Sequence, residues 1–597
     1  MLCPSLALAS ALLVAVRQTP VASEPLPVLS NAQLSERMHA LAAPATLVPV
    51  GKSRAGREIA AVRISNVEPP PAGKPAILIV ANIDGNQVWT SALAMFEAQE
   101  LVRRATEAPV KSLLDSCIVY VIPCANPDAA EHRFATPRNE DNATGPGVDN
   151  DRDGREGEDP ASDVDGDGQI TQIRVEDPRG EWIVDPLEAR ALVKADKTKG
   201  EIGKYRVWTE GRDLDHDERV AEDGPLDACV NDNFANDWKD HSPAAGVFPT
   251  DEPETRAYAD FLLLHPEIAL VVTYGELDNL VDKPKSVGVD APRQQLLPQA
   301  GVIEPDANLL AEIGKRYAEI TSDKTKGRGD DAGTFQTWAY VQRGLWSIAI
   351  DVWDISLEAP DKKDAEKKDG EKAEGEKKDT EKSDADKKAD DKQGADSKDE
   401  KSKDDKSKDE KKDKRELGDD GKRLRWLDAN GESARFVAWH EFQHPELGKV
   451  EIGGFAPFAR SEPPAAQTHD IATKQLDFVL ALGAELAHVE ISELKAKELG
   501  TGVWELKAAV TNRSRLPLMS ASAKRTDTVR PARVDLVLGK DDALLGGDKT
   551  QLLRDLGGSG ARVELRWLVR GTDPTHFKLK VTTQHAGCAE RSAEVKR

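Results

Sequence analysis

Four runs in this chain are apolar almost end to end: Pro75–Ala81, Cys117–Pro123, Ala269–Tyr274 and Leu345–Trp353. A strand with one face in water alternates polar and apolar residues, so an unbroken run must be covered on both faces. Helical periodicity follows the first run over Val88–Arg104 and returns over Ala472–Ala487, while Glu58–Ile64 reads as a further strand. Buried strands separated by helices predict an α/β fold with a mixed central sheet and flanking helices.

At 597 residues the chain exceeds what a single core accommodates. Short alternating segments take over from about 488: Trp504–Val510, Arg533–Leu538, Arg562–Val569 and Phe577–Thr583. They predict a small C-terminal β-sandwich over 488–597, after an α/β domain over 29–486. Two stretches interrupt the α/β pattern. Residues 138–228 are rich in Asp, Glu and Gly and weakly structured by pattern; a loop of that length is normally functional or ion-bound. Residues 360–420 are Lys, Asp and Glu with almost nothing apolar to bury, and are expected to be a disordered linker.

Leu2–Val16 is small and apolar and is followed by Val21, Ala22 and Ser23, the pattern of a removable leader over 1–23. Export to the periplasm or the extracellular space is the expectation. No other run is long enough to cross a bilayer. The net charge of −24 and pI of about 5.1 argue against a nucleic-acid partner and leave a peptide or protein ligand open. Cys117, Cys124, Cys229 and Cys588 form no CxxC pair, and the first two read as small core residues.

The acidity is concentrated in the insertion. Asp163, Asp165, Asp167, Gln169 and Thr171 alternate around Gly166 and Gly168, as in an EF-hand-type loop whose oxygens converge on one calcium ion. Arg174 stands where such a loop carries its bidentate Glu. Asp149–Gly154 and Asp213–Asp217 repeat the pattern more loosely. Without a cation, this much like charge keeps the loop expanded, so calcium is expected in a structural role.

A second constellation lies at strand ends. Ile79–Gln87 is a buried strand, a tight turn at Asp84-Gly85-Asn86 and a helix start. Ile122–Asp128, Cys229–Phe234 with Trp238 beyond, Phe248–Thr255, Ala269–Pro284, Trp338–Tyr340 and Ala349–Trp353 follow in order. In sequence and order these segments resemble the motifs of the zinc metallocarboxypeptidases, the carboxypeptidase A-like family, over about residues 30–485 with two interruptions. The resemblance implies a carboxypeptidase-like fold, and it places the family's functional positions residue by residue. The two zinc ligands of the first motif fall on Asp84 and Gln87, and the third on Gly275. The general base falls on Asp351, the Asn-Arg pair that grips a substrate carboxylate on Asn231 and Asp232, and the oxyanion-stabilising cation on Arg138.

The family's zinc takes two imidazoles, a carboxylate and a water, which it activates while a Glu accepts the proton. Here Gln87 is a neutral, weak ligand, Gly275 has no side chain, and Asp232 presents an anion where a guanidinium would bind a carboxylate. Zinc is therefore not expected to bind, and the leading expectation is an exported, non-catalytic homologue with a peptide-binding-type cleft. Two alternatives stay open. One is an active metal-dependent hydrolase with a site rebuilt on Asp84, Asp232 and Asp351 around Ca²⁺, Mg²⁺ or Mn²⁺. The other is a calcium-stabilised surface or adhesion protein.

Overall fold

The structure, a computed structural model, describes residues 24–143, 160–214, 220–221, 228–240, 242–287, 301–329, 331–357 and 415–595. The expected leader over 1–23, the Asp149–Gly154 repeat and most of the charged tract lie outside these residues. The described chain divides into two compact units, one of residues 1–158, 223–354 and 460–597, the other of residues 159–222 and 355–459.

In the first unit six strands form a mixed sheet: β1 (Ala45–Lys52), β2 (Glu58–Ile64), β3 (Ala76–Ala81), β4 (Ile118–Ile122), β5 (Ile268–Tyr274) and β6 (Trp346–Ile350). Their order is β1-β2-β4-β3-β5-β6. The pairs β3/β4, β3/β5 and β5/β6 are parallel, while β1/β2 and β2/β4 are antiparallel. Every residue of β3, β4, β5 and β6 is buried, as their unbroken apolar character requires. Ile77, Ile79, Val119, Val121, Val272 and Ile348 pack toward the helices Trp89–Arg103 and Ala465–Glu485. Leu78, Val80, Tyr120, Ile122 and Val271 point the other way, toward the helix Pro253–Leu264. Each fully buried aliphatic side chain contributes about 1.5–3 kcal/mol, so this two-sided core dominates the stability of the unit.

The C-terminal part of this unit carries two antiparallel-rich sheets. One has five strands, including Val489–Gly500, Val503–Asn512 and Ala561–Arg570; the other has four, including Ala532–Val537 and Lys578–Thr582. Leu494, Leu506, Trp567, Val534, Phe577 and Leu579 fill one core between them, as in a β-sandwich.

The second unit departs from the sequence expectation. The insertion, weakly structured by pattern, contributes the strands Gln172–Glu176, Trp182–Asp185, Glu188–Lys194 and Tyr205–Thr209. They join Phe436–His444 and Gly448–Phe455 in one six-stranded sheet. These strands are short and half-exposed, and among the described residues their tight core is Ile173, Val220, Ala221, Val450 and Ile452. Two of the six strands come from beyond the charged tract, so the local sequence carries little sign of the sheet. No helix among the described residues is long and apolar enough to cross a membrane.

Candidate functional site

β3 gives way to the site through Asn82, which adopts a left-handed φ of 53°, a conformation Asn tolerates better than most residues. Its main-chain N–H donates to Thr90 Oγ1 at 2.8 Å, and Thr90 Oγ1 donates to the Gln87 carbonyl at 2.6 Å, closing the turn onto the helix Trp89–Arg103. Ala81 pairs with Tyr274 of β5, and Tyr274 with Ile350 of β6. Gly275 and Asp351 therefore leave neighbouring strands on one row, beside the loop that carries Asp84.

Asp84 is bonded through both oxygens. Oδ1 accepts from Asn231 Nδ2 at 2.9 Å and Oδ2 from the Glu276 N–H at 2.7 Å. Asn231 Oδ1 in turn accepts from the Phe335 N–H at 2.9 Å. A Cβ built on Gly275 would collide with Asp84 Oδ2. Burial, and then the neighbouring Glu276 charge, hold the Asp84 carboxyl well above the usual carboxylate range. Gln87 is 1% exposed and its Nε2 has no hydrogen-bond partner among the described residues. Asn86 Nδ2 donates to Glu276 Oε1 at 2.7 Å.

Asp351 is fully buried and accepts from Arg328 Nε at 2.9 Å. Burial pushes its carboxyl up to about 7, against the pull of that guanidinium. Arg328 lies in the loop after the helix Glu304–Thr321, where its N–H donates to the Glu276 carbonyl at 2.7 Å. Asp354 stands 4.0 Å from the same guanidinium and is held by Arg460 at 2.9 Å.

Of the positions predicted from the sequence, Asp84, Gly275 and Asn231 come together, and Asp351 lies across the same strand ends. Asp232 is half-buried beside Asn231, where its charge adds to the field raising Asp84. Arg138 is half-buried beyond the turn Glu131–Phe134. Two functional neighbours escaped the sequence reading. Glu276 directly follows Gly275, so its place in the motif was the available signal. Arg328 sits in a charged, patternless loop that gave none.

These residues do not fit zinc. No imidazole stands among them, Gly275 offers nothing, and both Asp84 oxygens already accept N–H groups. Among the described residues a single group of three or more His, Cys, Asp or Glu brings ligand atoms within 4.8 Å of one another, and it is not in this cleft. Asp84, Asp232 and Asp351 thus form no convergent carboxylate group of that kind.

The convergent group is Asp163, Asp165 and Glu210, in the second unit. Asp163 Oδ1 accepts from the Gly166 N–H at 2.7 Å and Oδ2 from the Gly168 N–H at 2.8 Å, curling the loop. Buried Glu210, at the end of the strand Tyr205–Thr209, accepts the Val164 and Thr171 N–H groups at 2.8 and 2.9 Å. The carboxylate that the loop lacks at residue 174 therefore arrives from a different strand. Arg174 turns away, donating to Glu451 at 2.8 Å with its guanidinium 4.4 Å from the Trp439 ring centroid. Asp167 lies outside the convergent group, exposed, with Oδ1 accepting the Gln169 N–H at 2.8 Å. Thr171 Oγ1 donates to Glu210 at 3.2 Å. His440 Nε2 lies 3.0 Å from Asp165 Oδ2.

The family described as Zinc carboxypeptidase matches residues 34–371, and one described as Domain of unknown function (DUF8731) matches residues 488–594. No curated protein matches. Solved structures that match include thrombin activatable fibrinolysis inhibitor, at 14% identity and a TM-score of 0.30, over 53% of this chain and 62% of that one. Carboxypeptidase A from Helicoverpa armigera matches at 16% identity and a TM-score of 0.30, over 54% and 63%. A metallo-carboxypeptidase from Burkholderia cenocepacia matches at 12% and 0.28, over 53% and 58%. The chain thus spans less than two thirds of the length of each of these three.

Proposed function

The chain belongs to the zinc carboxypeptidase family, and from that premise we propose that it is an exported, non-catalytic member whose cleft binds a peptide or protein segment without hydrolysing it. The observation that carries the reading is the packing of Asp84 against Gly275: the carboxylate fills the space where a third ligand's side chain would begin. Metal-activated water is then missing, and the base position is tied to Arg328. Asp232 disfavours a free C-terminal carboxylate, so the occupant is an internal or uncharged segment. Export rests on the leader-like run Leu2–Val16.

The test combines metal analysis of the purified full chain with a peptide-hydrolysis screen under several divalent ions. No stoichiometric zinc and no release of C-terminal residues is the expected result. Turnover that Asp351→Ala abolishes would instead establish the rebuilt hydrolase.

The second unit supports an additional reading, a calcium ion held by Asp163, Asp165 and Glu210. Their convergence within 4.8 Å gives a hard cation three carboxylates, and main-chain carbonyls and water complete such a shell. In this reading the ion is structural and fixes the loop against its own charge. A surface or adhesion role for the whole chain would be built on the same site.

A further inference from the structure

A cavity of about 480 Å³ lies beside Arg328, between the end of β5, the helix Phe335–Arg343 and β6. Four of its lining residues, from four different segments, carry buried polar atoms with no hydrogen-bond partner among the described residues. They are Asp278 Oδ1, Arg328 Nη2, both amide atoms of Gln336, and Ser347 Oγ. Gln336 and Ser347 are each 4% exposed. Their neighbours are fully engaged: Asn279 donates to the Ser347 carbonyl and accepts from the Ala349 N–H, both at 3.0 Å. Asp278 Oδ2 takes N–H groups from Leu280, Val281 and Asp282, leaving only Oδ1 open. Buried polar atoms in folded proteins are almost always paired, so five orphans lining one cavity of ligand size point to a partner that enters from outside.

Charge narrows the class. Arg328 is already paired with Asp351 at 2.9 Å and lies 4.0 Å from Asp354, and Asp278 adds another carboxyl to the wall. The wall also carries Lys283 and Lys285, matched in number by Asp282 and Asp331, so with Arg328 and Asp278 its formal charges cancel and an entering anion gains no net attraction. The Gln336 amide offers a donor and an acceptor side by side, which a primary carboxamide matches reciprocally. A carboxamide's second N–H suits Ser347 Oγ or Asp278 Oδ1, and its carbonyl suits Arg328 Nη2. Leu277, Leu310, Val341 and Ala349 supply apolar wall for an aliphatic stem.

We propose that this cavity is a recognition pocket for a neutral primary carboxamide, carried either by an Asn or Gln side chain or by an amidated peptide end. The proposal deepens, and rests on, the reading of the cleft as a non-hydrolysing peptide site.

Capped single residues test it on the full chain by titration calorimetry. N-acetylglutamine N-methylamide carries the primary amide only on its side chain, and N-acetylmethionine amide only at its end. N-acetylmethionine N-methylamide carries neither, and N-acetylglutamate N-methylamide replaces the amide by a carboxylate. At least one of the two primary amides should bind roughly tenfold more tightly than the neither-probe, with the acid no better than that control. Which of the two wins identifies the source. Gln336→Met should erase the difference while the thermal midpoint is kept; should that variant misfold, Ser347→Ala must narrow it. Equal affinities for all four probes, no binding of any, or a difference indifferent to both substitutions would overturn the proposal and leave the cavity as a water site. Longer peptides that still bind would then preserve the wider reading, whereas their hydrolysis would end it.

Discussion

Asp84 Oδ2 occupies the volume into which any side chain at residue 275 would have to project. The two positions are therefore coupled, and one cannot regain a ligand while the other keeps its present residue. Gly275→Ala should cost about 1–3 kcal/mol by overpacking, and the penalty should shrink markedly in an Asp84→Gly background. A double-mutant cycle in urea checks this; strict additivity would contradict it.

Arg328 and Asp351 form the most buried ion pair of the site, with side chains 17% and 0% exposed. Arg328→Met leaves a buried carboxyl that takes up a proton near neutral pH, so its cost should be about 1–3 kcal/mol and grow as pH rises, whereas Arg328→Met with Asp351→Asn should recover much of the loss. Equilibrium unfolding of the wild type and of the two variants measures the recovery.

Glu97 gives a pH dependence with a definite sign. Burial raises its carboxyl from 4.5 to about 8, and its one hydrogen bond, from Tyr274 at 2.7 Å, does not offset that. The folded chain keeps this proton where the unfolded chain has lost it, so this contribution to stability is present below about 4.5 and is lost as pH rises toward 8. Glu97→Gln should flatten that part of the stability–pH curve; an unchanged slope in denaturant titrations across the window would refute the assignment.

Calcium should raise the thermal midpoint of the wild-type chain, since a ligand at a hundredfold excess over its Kd adds ~2.7 kcal/mol to the unit it binds. Glu210→Gln and Asp163→Asn should each abolish the rise, and Asp167→Asn should reduce it less. Calorimetric scans with calcium and with chelator make the comparison.

The central sheet was legible because its strands are covered on both faces and so leave unbroken apolar runs; Glu58–Ile64 matches β2 residue for residue. The positions of Asp84 and Gly275 were legible because motif order fixes them against strand ends. What the sequence could not display was pairing across long separations. Arg328 finds Asp351 from a loop with no periodicity, and Glu210 reaches Thr171 from 39 residues away. The second-unit sheet stayed hidden for the same reason: its strands are half-exposed and are completed by Phe436–His444 and Gly448–Phe455, far along the chain.

Gly275 and Asp351 sit just past β5 and β6, Asp84 and Gln87 in the turn between β3 and the helix Trp89–Arg103, and Asp232 in the short turn Val230–Asp232, all outside the sealed layers of β3, β5 and β6. Chemistry and foldability are therefore inherited separately in this architecture. Side chains at the rim can be exchanged while the interior packing stays as it is, so one scaffold can present different chemistry at the same place.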